Sequence, residues 1–479
     1  IHGLPIRRTE LLTGQIVFGW LMLVVPLVMV ALVAIGCLYG LDLPWRLKAA
    51  DVWHWFGETI VIETFIFALG IAVGILVGQS VLHVVLTNIF LFFPAGMLVL
   101  IYKNLSLLLS GFPDIHYYLS TELERLMIPI RYVMLMDQPM SAGEIGLLLL
   151  LSLLFFAIAV WLYERRPTEA VGQALAFRAL RPLFVYGVAF CTWLVGGFYF
   201  GEVERQWGWI VFGYVTFSLL GYAIAQMVIA KTWRVFHRWK GYVAFIGVMV
   251  VLSFIIRADL TGYEQRVPAE ADIKQVYFGQ STMNFERPEQ IGRSFVEYDQ
   301  FLRTKENIEA VRAFHEQLTH DQPSPSHLSN VQRVVIGYVL KDGTRLIRCY
   351  EVPIESYMTH FRRIMESDEY KQQRYLLLRP SGYAPIRQVT IRNINTGRDV
   401  VVLAEPEEIE SFIEALKQDL WNETADNMTV GVHTAQGEIE LLQSDGDSFA
   451  MVLADGYTHV RQWLKERRVW DNITDHRVE

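Results

Sequence analysis

Seven stretches of nearly uncharged, apolar residues follow one another in the first 256 positions, and they constrain the chain more than any other feature. They run Ile16 to Tyr39, Ile60 to Val77, Val81 to Tyr102, Ile145 to Tyr163, Leu183 to Phe200, Trp209 to Ala230 and Tyr242 to Ile256. A helix rises 1.5 Å per residue, so roughly 20 apolar residues cross a hydrocarbon core of about 30 Å. A soluble core helix can imitate one or two such runs, but not seven in succession. The expected class is a polytopic α-helical membrane protein with seven transmembrane helices. The chain is 52% hydrophobic and only 19% charged, and most of its charge lies beyond Arg257. There the composition is that of an ordinary globular domain.

Lysine and arginine set the expected orientation. If Arg7 and Arg8 are cytoplasmic, alternate crossings place Arg165, Arg166, Arg178, Arg181, Lys231, Arg234, Arg238 and Lys240 on the same side. The opposite loops carry fewer cations, which is the positive-inside pattern. Seven crossings that begin inside end outside, so the tail is expected to be extracytoplasmic at a bacterial cell membrane. The domains expected are 1–256, a transmembrane part lacking upstream spans, and two soluble α+β units, 257–383 and 384–479. Net charge is −8, which gives no support to nucleic-acid binding. Three cysteines without a CxxC offer neither a disulfide framework nor a metal site.

Within the spans, Gly70, Gly74 and Gly78 form a small-xxx-small series suited to close helix approach. Glu63, His83 and Asn88 are polar residues in apolar surroundings, open to a pathway role or to packing. The segment from Lys103 to Pro139 is aromatic and amphipathic but is cut by Pro113, Pro129 and Pro139. It is expected to lie in the outer interface or to form a lid. Asn104 begins one of four N-glycosylation sequons, which matter only in a secretory-pathway host.

The soluble half reads as a duplication. YMTHFRRIMES at Tyr357 and YTHVRQWLKE at Tyr457 share Thr-His-apolar-Arg, and each follows an apolar hairpin. The first hairpin is expected to turn at Asp342 and Gly343, the second near Gln436 and Gly437, with a third strand after Asp445 and Gly446. Upstream, Pro288, Glu289 and Ile291 match Pro406, Glu407 and Ile409, giving strand, helix, hairpin, helix in each unit. HEQLTH at His315 to His320 imitates a zinc-protease helix, but its histidines are five apart and turn away from each other. It is expected to be a solvated helix end. No catalytic, cofactor-binding or metal-ligating set can be assembled, and no GxxxxGK[ST] phosphate loop occurs.

LPIRRTELLTG resembles the cytoplasmic loop after the second helix in permeases of the type-2 ATP-binding-cassette (ABC) exporter class. YERRPTEAVGQALAFRALRPLF is similar to the Tyr-x-x-Arg-x-x-Glu-x-x-Gly signature of a Gram-positive, Ytr-like branch, carried here by Tyr163, Arg166, Glu169 and Gly172. The resemblance implies two further helices upstream, a separate ABC ATPase subunit as motor, pairing with itself or a sister permease, and no ATP chemistry in this chain. It also implies that Leu4, Pro5, Arg7, Arg8, Arg165, Arg166 and Glu169 lie in the loops that couple to the ATPase. Topological anchoring of the same arginines is the other reading, and the two can hold together. A polytopic sensor or scaffold with an extracytoplasmic ligand-binding domain is the alternative function.

Overall fold

The computed structural model describes residues 7–40, 48–120, 122–135, 138–167, 172–235, 237, 239–286, 301–322, 331–379, 384–393, 396–430 and 435–474. Each apolar run forms one helix: α1 (Arg8–Gly40), α2 (Ala49–Leu76), α3 (Ser80–Leu108), α6 (Ala142–Arg165), α7 (Leu180–Val203), α8 (Trp207–Ala230) and α9 (Trp239–Arg257). All seven are long and apolar enough to cross a membrane. Most outrun the apolar stretch that announced them, because polar residues such as Arg8, Asp51 and Arg165 continue the helix into the interface. Between α3 and α6 come two short helices, α4 (Asp114–Ser120) and α5 (Ile128–Met134). Pro129 sits in the first turn of α5, where its missing N–H costs nothing.

Two compact units emerge. One comprises Ile1–Asn104 and Thr121–Val251; the other comprises Leu105–Ser120 and Leu252–Glu479. The segment expected at a membrane interface is thus divided, and its first half belongs with the soluble domain.

In the first unit α7 and α8 pack with almost no side chain between them. A Cβ built on Gly196 would lie 2.2 Å from the carbonyl oxygen of Gly213, and one on Gly221 would lie 2.1 Å from Thr192. Only glycine allows this approach.

The second unit holds two four-stranded antiparallel sheets. The first contains β1 (Ile273–Gly279), β2 (Phe301–Leu302), β3 (Val331–Leu340) and β4 (Arg345–Pro353) in the order β2-β1-β3-β4. The second contains β5 (Ile386–Asn393), β6 (Asp399–Leu403), β7 (Ala435–Gln443) and β8 (Ser448–Ala454) in the order β6-β5-β7-β8. Each sheet carries a helix before its hairpin, α11 (Lys305–Asp321) or α14 (Pro406–Asn422), and one after it, α12 (Ile354–Met365) or α16 (Thr458–Glu466); the short helices α10 (Thr282–Glu286), α13 (Asp368–Arg374) and α15 (Ala425–Val430) fill connections, and α17 (Trp470–Thr474) follows α16. Both helix layers close over one continuous core that includes Phe314, Phe361, Phe412 and Leu464.

Two details differ from the sequence reading. The second hairpin turns at Asp445 and Gly446, with Gly446 at φ +91°, while Gly437 lies inside β7 opposite Leu453. The motif read as a third strand is therefore the second arm. Each unit also has an extra short strand, β2 or β6, too brief to announce itself by alternation. Pro288, Glu289 and Ile291 lie outside the described residues, and the helix occupying the place of α14 in the first sheet is α11.

Candidate functional site

The guanidinium of Arg166, just past the end of α6, points back at the C-terminus of α2. It donates to the carbonyls of Val77 at 2.8 Å and Gly74 at 3.4 Å. A helix C-terminus leaves its last carbonyls without intrahelical partners and carries partial negative charge, so a cation there satisfies both needs. Arg8, the first residue of α1, donates to the carbonyl of Arg166 at 3.0 Å. One point therefore fastens three helices, α1, α2 and α6.

The chain beyond Arg166 adds to the same point. Gly172 N–H donates to Gly78 O at 2.8 Å, Gly78 N–H to Gln173 O at 3.0 Å, and Ala176 N–H to Leu76 O at 2.8 Å. These bonds make a miniature antiparallel bridge between Val77 and Leu175. Gly172 sits at φ +80°, which is open to glycine at little cost. On the α3 side, His83 donates Nε2–H to Gly70 O at 2.8 Å, and its ring rests on Gly74, where a Cβ would come within 3.2 Å. The glycine series thus admits a side chain here rather than a backbone.

Of the coupling residues expected from sequence, Arg8 and Arg166 are brought together and turned inward. Arg7 is exposed. Arg165 is exposed too, over the Trp161 ring at 4.0 Å. Leu4, Pro5 and Glu169 lie outside the described residues. Asn88 is on an exposed face of α3, donating to Val84 O at 2.9 Å. Glu63 is half-buried on α2, about 16 Å along the axis from Gly74 at 1.5 Å per residue.

Other polar centres gave no sequence signal. Arg131, counted only as a loop cation, is 2% exposed and forks onto Glu144 while also donating to Gln138 O and Pro139 O. Beside it, buried Glu58 accepts from Met140 N–H at 2.6 Å. Asn104 is buried in α3, bonded to Leu194 O and accepting from Tyr214 OH at 2.7 Å, so it is a packing residue of the bundle.

In the soluble unit His315 corrects its expectation. Only His320 is a solvated helix end. His315 is fully buried, with its two ring nitrogens 3.1 Å from Tyr338 OH and 3.1 Å from Tyr350 OH. A neutral imidazole matches two hydroxyls, since it donates from one nitrogen and accepts at the other. Burial, with Arg348 nearby, pushes its pKa down to about 3. The repeated histidines also have packing partners: His360 stacks on Phe314, and His459 donates to Asp419 at 2.7 Å.

The chain after α3 is bound to this same unit. Gly111 O accepts from Cys349 N–H on the free edge of β4, Ser110 N–H donates to Glu264, and His116 donates to Glu286 at 2.8 Å. Among the described residues no group of three or more His, Cys, Asp or Glu side chains is placed to hold a metal. The chain matches no protein-family model, no curated protein and no solved structure.

Proposed function

We propose that the chain is the permease subunit of an ABC transporter of the type-2 exporter class, driven by a separate ATPase subunit and paired with itself or a sister permease. The observation that carries this reading is the Arg166 junction. A force applied to the loop containing Gly172 to Ala176 reaches α1, α2 and α6 through hydrogen bonds rather than through flexible chain. That is what a subunit without its own nucleotide site requires of a coupling loop. In this reading the basic end is cytoplasmic, and the two soluble sheets form an extracytoplasmic domain. Their shared strand order and helix placement support descent from one duplicated unit.

The roles of the four arginines divide accordingly. Arg8 and Arg166 hold the junction, whereas exposed Arg7 and Arg165 face the motor. Affinity purification in mild detergent tests the proposal. An ATPase subunit accompanies the wild-type chain, and Arg7→Glu with Arg165→Glu lowers its recovery while insertion persists. Unchanged recovery, or no ATPase at all, counts against it. A sensor or scaffold is the second reading. It is favoured by the bonds that tie residues 110–116 to the first sheet, through which a ligand on the soluble domain would act on α3.

A further inference from the structure

The turn between α8 and α9 differs from the other basic loop at its end of the bundle. The loop after α6 turns two of its arginines inward, Arg166 onto the carbonyls of α2 and Arg181 onto Gln173, and leaves Arg165 and Arg178 exposed. Lys231, Arg234 and Lys240 are exposed, and among the described residues none has an acidic partner. The sequence from 231 to 240, KTWRVFHRWK, contains no Asp or Glu. Two large rings stand among these cations, Trp233 at 68% exposure and Trp239 at 59%, with the Arg234 guanidinium 5.4 Å from the centre of the Trp233 ring. Val235, beside Arg234, is buried at 5% exposure.

We propose that this turn is a binding surface for anionic phospholipid headgroups. Three physical features converge on that partner. The turn joins two spans, so it lies at the depth where hydrocarbon gives way to headgroups. Tryptophan is favoured there because its ring is apolar and its N–H is not. Unpaired lysine and arginine beside a span draw phosphodiester groups, each worth on the order of a fivefold gain in binding near an anionic surface. The N-terminus of α9 at Trp239 adds free backbone N–H groups and the positive end of a 19-residue helix. A zwitterionic lipid offers the same phosphate but cancels its charge, so the surface discriminates by net charge.

The test is lipid retention by the purified full chain. Protein washed in detergent is exposed to equal amounts of phosphatidylglycerol and phosphatidylcholine, and the lipid kept per chain is measured by mass spectrometry alongside the melting temperature. Wild type keeps phosphatidylglycerol preferentially and melts higher with it. Lys231→Ala, Arg234→Ala and Lys240→Ala together reduce that retention by roughly a hundredfold, with melting in phosphatidylcholine unchanged. Cations also set insertion orientation, so Arg234→Gln alone serves as the variant that removes one charge, with retention lowered about fivefold. Inorganic phosphate at the same concentration neither stabilises the chain nor displaces the lipid. Equal retention by wild type and Arg234→Gln overturns the proposal, as does displacement by phosphate alone. Loss of a co-purifying protein with lipid retention intact overturns it as well, because the turn would then be a protein interface.

Discussion

Cys349 donates its backbone N–H to the carbonyl of Gly111 across 3.1 Å, so the edge strand of the first sheet is continued by a residue only three positions beyond α3. The soluble domain itself begins at the end of α9. Four helices long enough to cross a membrane, α6, α7, α8 and α9, separate those two points in the chain. An even number of crossings returns a chain to the side it left, which the hydrogen bond requires.

Gly111 is the position where this attachment is most easily broken. It lies at φ +74°, and a Cβ there would come 2.7 Å from the Tyr350 ring. Gly111→Ala combines left-handed strain with overpacking and is expected to weaken the attachment by about 2–4 kcal/mol. Hydrogen exchange read by mass spectrometry should accelerate in peptides covering 105–120 and β4, while peptides from α14 and β7 keep their wild-type rates.

Arg166→Lys separates charge from geometry at the junction. An ammonium keeps the charge near the end of α2 but cannot fork between Gly74 O and Val77 O from the same place. Losing the forked contact is expected to cost about 1–3 kcal/mol, with Arg166→Ala at the upper end. Melting temperatures in one detergent, compared across wild type, Lys and Ala, check the order.

Gly196→Ala and Gly213→Ala are expected to be among the most damaging single changes in the bundle. Each new methyl meets backbone of the opposite helix, with Gly213 O at 2.2 Å from the first and Gly196 O at 2.4 Å from the second. Backbone has no rotamer to change, so α7 and α8 must separate at a cost of about 3 kcal/mol or more. Size-exclusion profiles in detergent should shift toward aggregate for both variants but not for Gly187→Ala, where nothing lies within 4 Å.

The spans were legible because hydropathy is a local property, and a run such as Trp209 to Ala230 is fixed by its own composition. Burial of single polar residues was not. Arg131 and Asn104 look like loop and sequon residues until Glu144 and Tyr214, 13 and 110 positions away, are folded against them. The first hairpin was legible from Asp342 and Gly343. The second is misplaced because Gln436 and Gly437 imitate a turn, whereas Gly437 sits in β7, where a Cβ would come within 2.9 Å of Arg392 O. The Arg166 junction was half legible: its arginines were visible, but not that two of the four turn inward.

His315 should give the soluble unit a distinct pH dependence. With the folded pKa pushed down to about 3, the unfolded chain takes up the proton first, near the ordinary 6.5. Its contribution is therefore complete above about pH 6.5 and declines by about 1.4 kcal/mol per pH unit as pH falls toward 3. His315→Phe removes that slope and leaves the Tyr338 and Tyr350 hydroxyls without their ring partner, at about 1–3 kcal/mol each. Slow hydrogen exchange of β3 and β4 should show the gap between wild type and variant narrowing from pH 7.5 to pH 5. A constant gap contradicts the assignment.

The most direct test places one cysteine at a time in a chain whose own Cys37, Cys191 and Cys349 have been replaced. Asp445→Cys lies in the exposed turn of the second sheet, and Lys231→Cys in the turn after α8. A maleimide that does not cross membranes, added to intact cells, should label Asp445→Cys at once and Lys231→Cys only after permeabilisation. Labelling of both positions before permeabilisation, or of neither, would place the soluble sheets and the basic turns on one side of the membrane and contradict the odd number of crossings on which the account rests.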